Sequence, residues 1–177
     1  MSRQFRILKR KDIYSNRWIR LEECETETDG VGGAYSIVHR SNSVVTIVRD
    51  RNLNFLLLKQ FRFPTEAHSW EFPMGGLDAN EDAAEAGRRE LLEETGISAP
   101  EFIPLGSFHP IPGLTPQTVQ VFEVPVNEIT IANTAADEII TQAIVPRDRL
   151  IQMITAGEIT DGFTLCSVAL YMAKRGT

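Results

Sequence analysis

Three carboxylates lie close together near the middle of the chain. Glu90, Glu93 and Glu94 fall within five consecutive positions, and residues three and four apart share one side of a helix. Their like charges repel each other, and at the carboxyl end of a helix they also oppose the helix dipole. A hard divalent cation would offset this repulsion, because Mg²⁺ and Mn²⁺ prefer oxygen ligands and leave room for substrate phosphates. The spacing therefore indicates metal-dependent phosphate chemistry, with the solvated face of an ordinary helix as the alternative.

The segment that carries these carboxylates is predicted to be a helix. Residues 82–95 are rich in strong helix formers. Asp82 with Glu85 three positions later resembles a capping box, and Gly96 is the expected left-handed stop. Gly87 inside the helix costs stability relative to alanine, which favours close packing of this helix against a sheet.

The elements that must position this helix are mostly strands. Alternating or β-branched runs predict strands at 18–21, 35–39, 44–60 (as a hairpin), 102–108, 118–126 and 138–145. Two further helices are predicted at 147–156, after Pro146, and at 163–174, with Asp161 as its cap. Strands around one helix, followed by a helical end, predict an α+β fold.

The composition limits the class of protein. The 177 residues are 42% hydrophobic and 24% charged, which is typical of one globular domain, or of one with a small appendage. A net charge of −6 argues against sequence-independent nucleic-acid binding. No apolar run reaches the ~20 residues of a membrane span, and the N-terminus has no secretory pattern. Cys24 and Cys166 show no metal-binding spacing. We therefore expect a cytoplasmic protein with no nucleic-acid or membrane partner.

The wider spacing around the carboxylates is much more specific than the carboxylates alone. It reads glycine, five residues, glutamate, seven residues, then Arg-Glu-apolar-any-Glu-Glu-any-Gly-apolar. The fixed positions are Gly75, Glu81, Arg89, Glu90, Leu91, Glu93, Glu94, Gly96 and Ile97. This pattern resembles the Nudix box of the Nudix hydrolase family. The resemblance implies an α/β/α sandwich with a mixed sheet, Mg²⁺ as cofactor with Mn²⁺ as a substitute, and cleavage of a nucleoside diphosphate linked to another moiety.

The resemblance also implies roles within the box. Glu90 and Glu94 would be the principal metal ligands, with Glu93 supporting a further ion and catalysis. The backbone carbonyl of Met74 would be another ligand. Arg89 would orient the neighbouring carboxylates through charge-assisted hydrogen bonds.

The segments before the box resemble those of ADP-ribose and sugar-nucleotide pyrophosphatases. These segments are 60–64 and 69–76. The resemblance implies that Arg62 and Glu71 bind substrate, the alternative for each being an ordinary surface charge. Pro112, in a Pro-Gly turn after the box, also fits this subgroup.

The chain beyond the box supports the same subgroup, with one departure. Residues 157–164 are similar to the segment that enters the last helix of ADP-ribose pyrophosphatases. The resemblance makes Glu138 the candidate catalytic base, with Asp137 as second choice and a solvated loop acid as the alternative. Many relatives carry an acid where this chain has Pro116 and Gln117, which would leave more of the proton transfer to Glu138.

The N-terminal part has an expected role in assembly. By resemblance, residues 1–40 form a small β-region that makes a homodimer, and residues 41–177 form the Nudix domain. Residues 15–19 resemble a segment whose tryptophan stacks on adenine, so Trp18 is a candidate substrate contact. Its alternative role is an apolar anchor in the core or in an interface.

The reaction that the resemblance implies is hydrolysis of ADP-ribose to AMP and ribose 5-phosphate. A second enzyme hypothesis is GDP-mannose or another sugar nucleotide, with the same metal chemistry. Nucleoside triphosphates or dinucleoside polyphosphates are weaker alternatives. A non-catalytic nucleotide sensor on the same fold is disfavoured, because a sensor need not keep all three carboxylates.

Overall fold

The computed structural model describes residues 3–131 and 139–176. The chain divides into two compact units. The first unit combines Met1–Asn42 with His109–Thr118, and the second combines Ser43–Phe108 with Val119–Thr177. The homodimer expected for residues 1–40 stays a prediction.

The first unit contains a three-stranded antiparallel sheet in the order β1-β2-β3. Its strands are β1 (Phe5–Ser15), β2 (Arg20–Thr28) and β3 (Val31–His39). Asp29 and Gly30, both with positive φ, make the turn from β2 to β3. β1 was not predicted, because its charged and apolar residues mix without a buried face, and every residue of the strand is exposed.

A buried carboxylate lies at the centre of this sheet. Glu22 is 4% exposed. It accepts a hydrogen bond at 2.6 Å from Arg10 Nη1 and one at 3.1 Å from Arg20 Nη1. His39 Nε2 lies 3.0 Å from its Oε2. The bond with His39, followed by those with the two arginines, lowers the pKa of Glu22 to about 2, although burial opposes the shift. Glu22 is therefore held as a carboxylate.

This cluster predicts a loss of stability in acid. The folded-state pKa of about 2 lies below the ordinary 4.5, so the stabilisation is complete above 4.5 and disappears as pH falls towards 2. Melting temperatures of the wild type and Glu22→Gln, measured from pH 7 to pH 2, should differ most at neutral pH and converge in acid. Glu25→Gln, an exposed position on the same strand, is the control. A difference between wild type and Glu22→Gln that does not change with pH would contradict the assignment.

Among its described residues, the second unit contains a mixed seven-stranded sheet, three α-helices and a short 3-10 helix at Phe63–Thr65. The strands are β4 (Ser43–Arg49), β5 (Asn54–Arg62), β6 (Ala67–Glu71), β7 (Met74–Gly76), β8 (Ile103–Phe108), β9 (Val119–Pro125) and β10 (Ile139–Pro146). The helices are α1 (Ala83–Thr95), α2 (Arg147–Thr155) and α3 (Gly162–Arg175). The order is β10-β5-β4-β9-β8, with β6 on β5 and β7 on β4. β4 and β9 are parallel, and the other pairs are antiparallel.

Alternation along β4 assigns the two faces of this sheet. Val45 and Ile47 pack in the cluster that contains apolar side chains of α2 and α3. Val44 and Val48 pack on the other face, where Ala86 and Leu91 of α1 lie. The sheet is thus covered by helices on both faces, and the predicted α+β sandwich is confirmed.

The structure confirms the capping residues predicted for α1 and the close packing predicted at Gly87. The Asp82 carboxylate accepts hydrogen bonds at 2.8 Å from the N–H groups of Ala84 and Glu85. Gly96 ends the helix with φ of 71°. A Cβ on Gly87 would lie 3.3 Å from the Val44 side chain, so this glycine permits close approach of α1 to the sheet.

Within the described residues, no helix has the length and apolar character needed to cross a membrane.

Candidate active site at the Nudix box

The carboxyl half of α1 places Glu90 directly against β7. A Cβ built on Gly75 would lie 1.9 Å from Glu90 Cδ and 2.1 and 2.3 Å from its two carboxylate oxygens. The carboxylate of Glu90 therefore occupies the space that any side chain at position 75 would need. The glycine of the box leaves this cradle open for the acid.

Glu94 lies one helical turn further along the same side of α1. Its Oε2 accepts a hydrogen bond from the Met74 N–H at 3.1 Å, and its Oε1 accepts one from Gln60 Nε2 at 3.3 Å. Burial raises the pKa of Glu94 to about 8, and the charge of Glu90 adds to the shift. The fold thus places this carboxylate where a negative charge is poorly solvated.

Arg89 connects the other acids of the box. Its Nε and Nη2 donate to both oxygens of Glu81, at 3.0 and 2.9 Å, and its Nη1 donates to Glu90 Oε1 at 2.8 Å. Nη2 also donates to the Gly76 carbonyl at 2.9 Å, and Glu93 lies 3.5 Å from Nη1. These bonds raise the pKa of Arg89 and lower that of Glu81 to about 2. The guanidinium therefore ties the loop before α1 and the end of β7 to the helix.

The donor set fits a divalent cation that also contacts substrate. Among the residues that the structure describes, no three acidic, histidine or cysteine side chains converge into a closed metal cage. Mg²⁺ does not need one, since it is usually held by one or two carboxylates together with water and phosphate oxygens. Burial raises the pKa of Glu90 as well as that of Glu94, despite the nearby Arg89. A cation between these two carboxylates would balance charge that the protein leaves poorly balanced.

Two other predicted metal donors differ in their positions. Glu93 has a side chain that is 60% exposed, and its Oε2 lies 3.5 Å from Arg89 Nη1. Met74 pairs with Val45 in the sheet, and its N–H is bonded to Glu94. The backbone of Met74 is therefore next to the carboxylates, while a metal contact from its carbonyl stays a prediction.

The predicted substrate residues Arg62 and Glu71 form an ion pair in which only Glu71 is buried. Glu71 is 1% exposed, and Arg62 Nε lies 3.1 Å from each of its carboxylate oxygens. Arg62 Nη2 donates to Oε2 as well. Burial raises the pKa of Glu71, and Arg62 opposes that rise. The pair fixes the orientation of Arg62 from the adjacent strands β5 and β6.

The remaining predicted residues are elsewhere or are not described. Trp18 lies in the first unit, is 64% exposed, and has the Arg17 guanidinium 3.9 Å from its ring centroid. The candidate bases Asp137 and Glu138 lie outside the described residues.

One residue that contacts the site was not predicted from the sequence. Gln60 is 3% exposed and its Nε2 donates to Glu94 Oε1 at 3.3 Å, a contact that the sequence did not predict. The amide close to the apolar run 55–58 of β5 could have been the signal, because a buried amide needs a hydrogen-bond partner.

Comparison with known proteins identifies the family of the chain. Residues 39–162 match the NUDIX domain family. The ADP-ribose pyrophosphatase of Bacillus subtilis is 24% identical over 94% of this chain and 92% of its own length. The GDP-mannose pyrophosphatase of Yersinia enterocolitica is 26% identical over 88% and 89%. The methanol dehydrogenase activator of Bacillus methanolicus is 26% identical over 91% and 89%.

The fold is shared with a solved structure. The crystal structure of an ADP compounds hydrolase superposes with a TM-score of 0.82 at 18% identity, over 98% of this chain and 96% of that one. The family match covers well over half of the chain and includes every fixed position of the box. The chain therefore belongs to the NUDIX family and is a Nudix hydrolase.

Proposed function

We propose that this protein hydrolyses the diphosphate bond of a nucleoside diphosphate sugar, with ADP-ribose as substrate and AMP and ribose 5-phosphate as products. The observation that carries this proposal is the pair of half-buried carboxylates, Glu90 and Glu94, held against β7 beside the Arg62–Glu71 pair of the neighbouring strands. The full-length similarity to an ADP-ribose pyrophosphatase supports the choice of substrate.

Glu90 and Glu94 would hold Mg²⁺, with Glu93 and the Met74 carbonyl as further donors and Mn²⁺ as a substitute. When bound, the metal would neutralise the diphosphate and activate a water molecule. Arg89 keeps Glu90 in place through its bond at 2.8 Å. It is therefore a positioning residue that acts through the carboxylates.

Substrate binding would use the positive charge of Arg62 on β5. The bidentate bond to Glu71 limits the rotamers of Arg62, and a guanidinium of fixed orientation suits recognition of a diphosphate. Trp18 would stack on the adenine, since this aromatic residue is 64% exposed. Glu138 would take or orient the proton of the attacking water, with Asp137 as the alternative.

We extend the proposal to a cytoplasmic homodimer formed through residues 1–40. Phe5 and Leu8 of β1 are 73% and 58% exposed, and exposed apolar side chains of this size favour burial against a partner. The partner in this proposal is a second copy of the chain.

GDP-mannose is the second candidate substrate, and the relative from Yersinia enterocolitica is the observation that favours it. The catalytic residues would be the same, because both substrates present a diphosphate to the metal. The base and sugar contacts alone would differ.

A substrate panel tests the proposal. AMP or other nucleotide release is measured with ADP-ribose, GDP-mannose, ADP-glucose, NADH, diadenosine polyphosphates and dGTP, each with Mg²⁺ or with EDTA. We expect the highest kcat/KM with ADP-ribose and no turnover in EDTA. A preference for GDP-mannose would replace the substrate and keep the metal site. Hydrolysis that persists in EDTA, or no hydrolysis of any compound, would refute the proposal.

A further inference from the structure

A polar cavity lies at one end of β4, and the candidate site with Glu90 and Glu94 lies at the other end. β4 pairs with β7 at Val44 and Val45, whereas Arg49, its last residue, borders the cavity. The strand advances about 3.3 Å per residue, so the five steps from Val44 to Arg49 span roughly 16 Å. The cavity has a volume of about 240 Å³. It is therefore separate from the proposed active site.

Arginines dominate the lining of this cavity. Arg49, Arg147 and Arg175 border it together with Glu123, Tyr171 and Leu53. These residues come from β4, β9, α2, α3 and the turn after β4. Among the described residues, the lining holds three guanidinium groups and one carboxylate, so it carries an excess of positive charge.

Two of the three arginines are engaged by the carboxylate. Glu123 is fully buried. Its Oε1 accepts a hydrogen bond at 2.7 Å from Arg49 Nε, and its Oε2 accepts one at 2.6 Å from Arg175 Nε. One negative charge is thus shared by two arginines, which fixes both side chains at the cavity wall. A buried carboxylate with two partners is a rigid support for a binding site.

The third arginine has no such partner. Within residues 3–131 and 139–176, the guanidinium of Arg147 makes no ion pair or hydrogen bond. Its backbone N–H donates to the Leu53 carbonyl at 3.1 Å, which anchors the residue itself. Arg147 is the first residue of α2, whose cap residue Pro146 provides no side-chain hydrogen bond. The partial positive charge of this helix end adds to that of the guanidinium.

Tyr171 supplies a rigid neighbour to these charges. Its ring packs edge-on against Phe55, with centroids 5.4 Å apart. Burial, followed by the charge of Glu123, raises the pKa of Tyr171. Its hydroxyl therefore stays protonated at neutral pH and is able to donate a hydrogen bond.

We propose that this cavity is an anion site for a phosphate group, either free phosphate or the phosphate of a small phosphomonoester. Guanidinium groups match phosphate oxygens in both charge and donor geometry. Pockets for larger organic ligands measure about 300–1,000 Å³, so about 240 Å³ suits a small anion better than a nucleoside diphosphate sugar. This site is independent of the reaction proposed above.

Calorimetric titration tests the proposal. Inorganic phosphate is added to the whole protein at pH 7.5 in EDTA, with ionic strength held constant by NaCl. We expect one saturable site in the wild type and at least tenfold weaker binding in Arg147→Gln, equivalent to about 1.4 kcal/mol. Arg149→Gln, two positions further on α2 and paired with Glu158, should bind like the wild type. Phosphate should also raise the melting temperature of the wild type and of Arg149→Gln, but not that of Arg147→Gln.

The titration is repeated with a second variant, Arg147→Lys, and with a second ligand, ribose 5-phosphate. Arg147→Lys keeps the charge without the guanidinium fork and should show intermediate affinity; it carries the test if Arg147→Gln does not fold. A parallel titration with ribose 5-phosphate identifies the source, since tighter binding than phosphate indicates a phosphomonoester and weaker binding indicates free phosphate. The absence of saturable phosphate binding, equal binding by Arg147→Gln and the wild type, or equal weakening in Arg149→Gln would overturn the proposal.

Discussion

Glu94→Gln is expected to lower kcat at least about a hundredfold, which corresponds to about 2.7 kcal/mol of transition-state stabilisation. The amide keeps the shape of the side chain and an oxygen for the Met74 N–H, whose bond to Glu94 is 3.1 Å long. It removes the negative charge that a divalent cation needs. Because burial raises the pKa of Glu94 to about 8, loss of the carboxylate should leave the metal-free melting temperature unchanged or higher.

The same variant should lose its response to metal. Mg²⁺ is expected to raise the melting temperature of the wild type, because a ligand that binds only the folded state stabilises it. Glu94→Gln should show little or no such rise. Glu85→Gln is the matched control, since Glu85 lies exposed in the first turn of the same helix. Near-normal turnover by Glu94→Gln, or a full response of the variant to Mg²⁺, would refute the assignment of Glu94 as a metal ligand.

Gly75→Ala is expected to abolish most of the activity by steric means. The new Cβ would lie 1.9 Å from Glu90 Cδ, a distance that forces the carboxylate out of its position. Arg89 holds Glu90 Oε1 at 2.8 Å, so the displacement also disturbs this bond. We expect a loss of kcat/KM of about a hundredfold or more, together with a destabilisation of about 1–3 kcal/mol from overpacking. Steady-state kinetics and denaturant unfolding measure the two effects.

A double-mutant cycle tests whether the Glu90 carboxylate causes the destabilisation by Gly75→Ala. The destabilisation by Gly75→Ala should shrink when Glu90 is already alanine, because the clashing carboxylate is then absent. Gly162→Ala is the control, since a Cβ at that position, the first residue of α3, meets no atom within 4 Å. Full activity in Gly75→Ala, or an equal destabilisation with and without Glu90, would show that the carboxylate does not depend on the space at Gly75.

Much of the candidate site was readable from local sequence. The Nudix box lies almost entirely within one loop and one helix, and helix geometry alone places Glu90 and Glu94 on one side of α1. Caps act over a few residues, and Asp82, Gly96 and Asp161 were all predicted at the helix ends where they are found. By contrast, β1 was missed because it is exposed throughout, and periodicity detects a strand only when one of its faces is buried.

Contacts between distant residues needed the tertiary structure. Gln60 reaches Glu94 across 34 positions, and Arg175 reaches Glu123 across 52. Arg62 and Glu71 form an ion pair although the register of their strands joins Arg62 to Ala67 and Leu58 to Glu71. None of these contacts follows from spacing, because strand register and helix docking decide which side chains meet.

The sequence by itself determined the family, the helix that carries the carboxylates of the box and the α+β class, because the residues responsible act within a few turns of one another or as a periodic pattern. Only the tertiary structure decided that Gly75 makes room for Glu90 and that burial raises the pKa of Glu94. It also decided that arginines from three separate elements line one cavity together with Glu123. The physical reason is the same in each case: burial and long-range contacts are properties of packed elements, and they exist only after the sheet and its helices have come together.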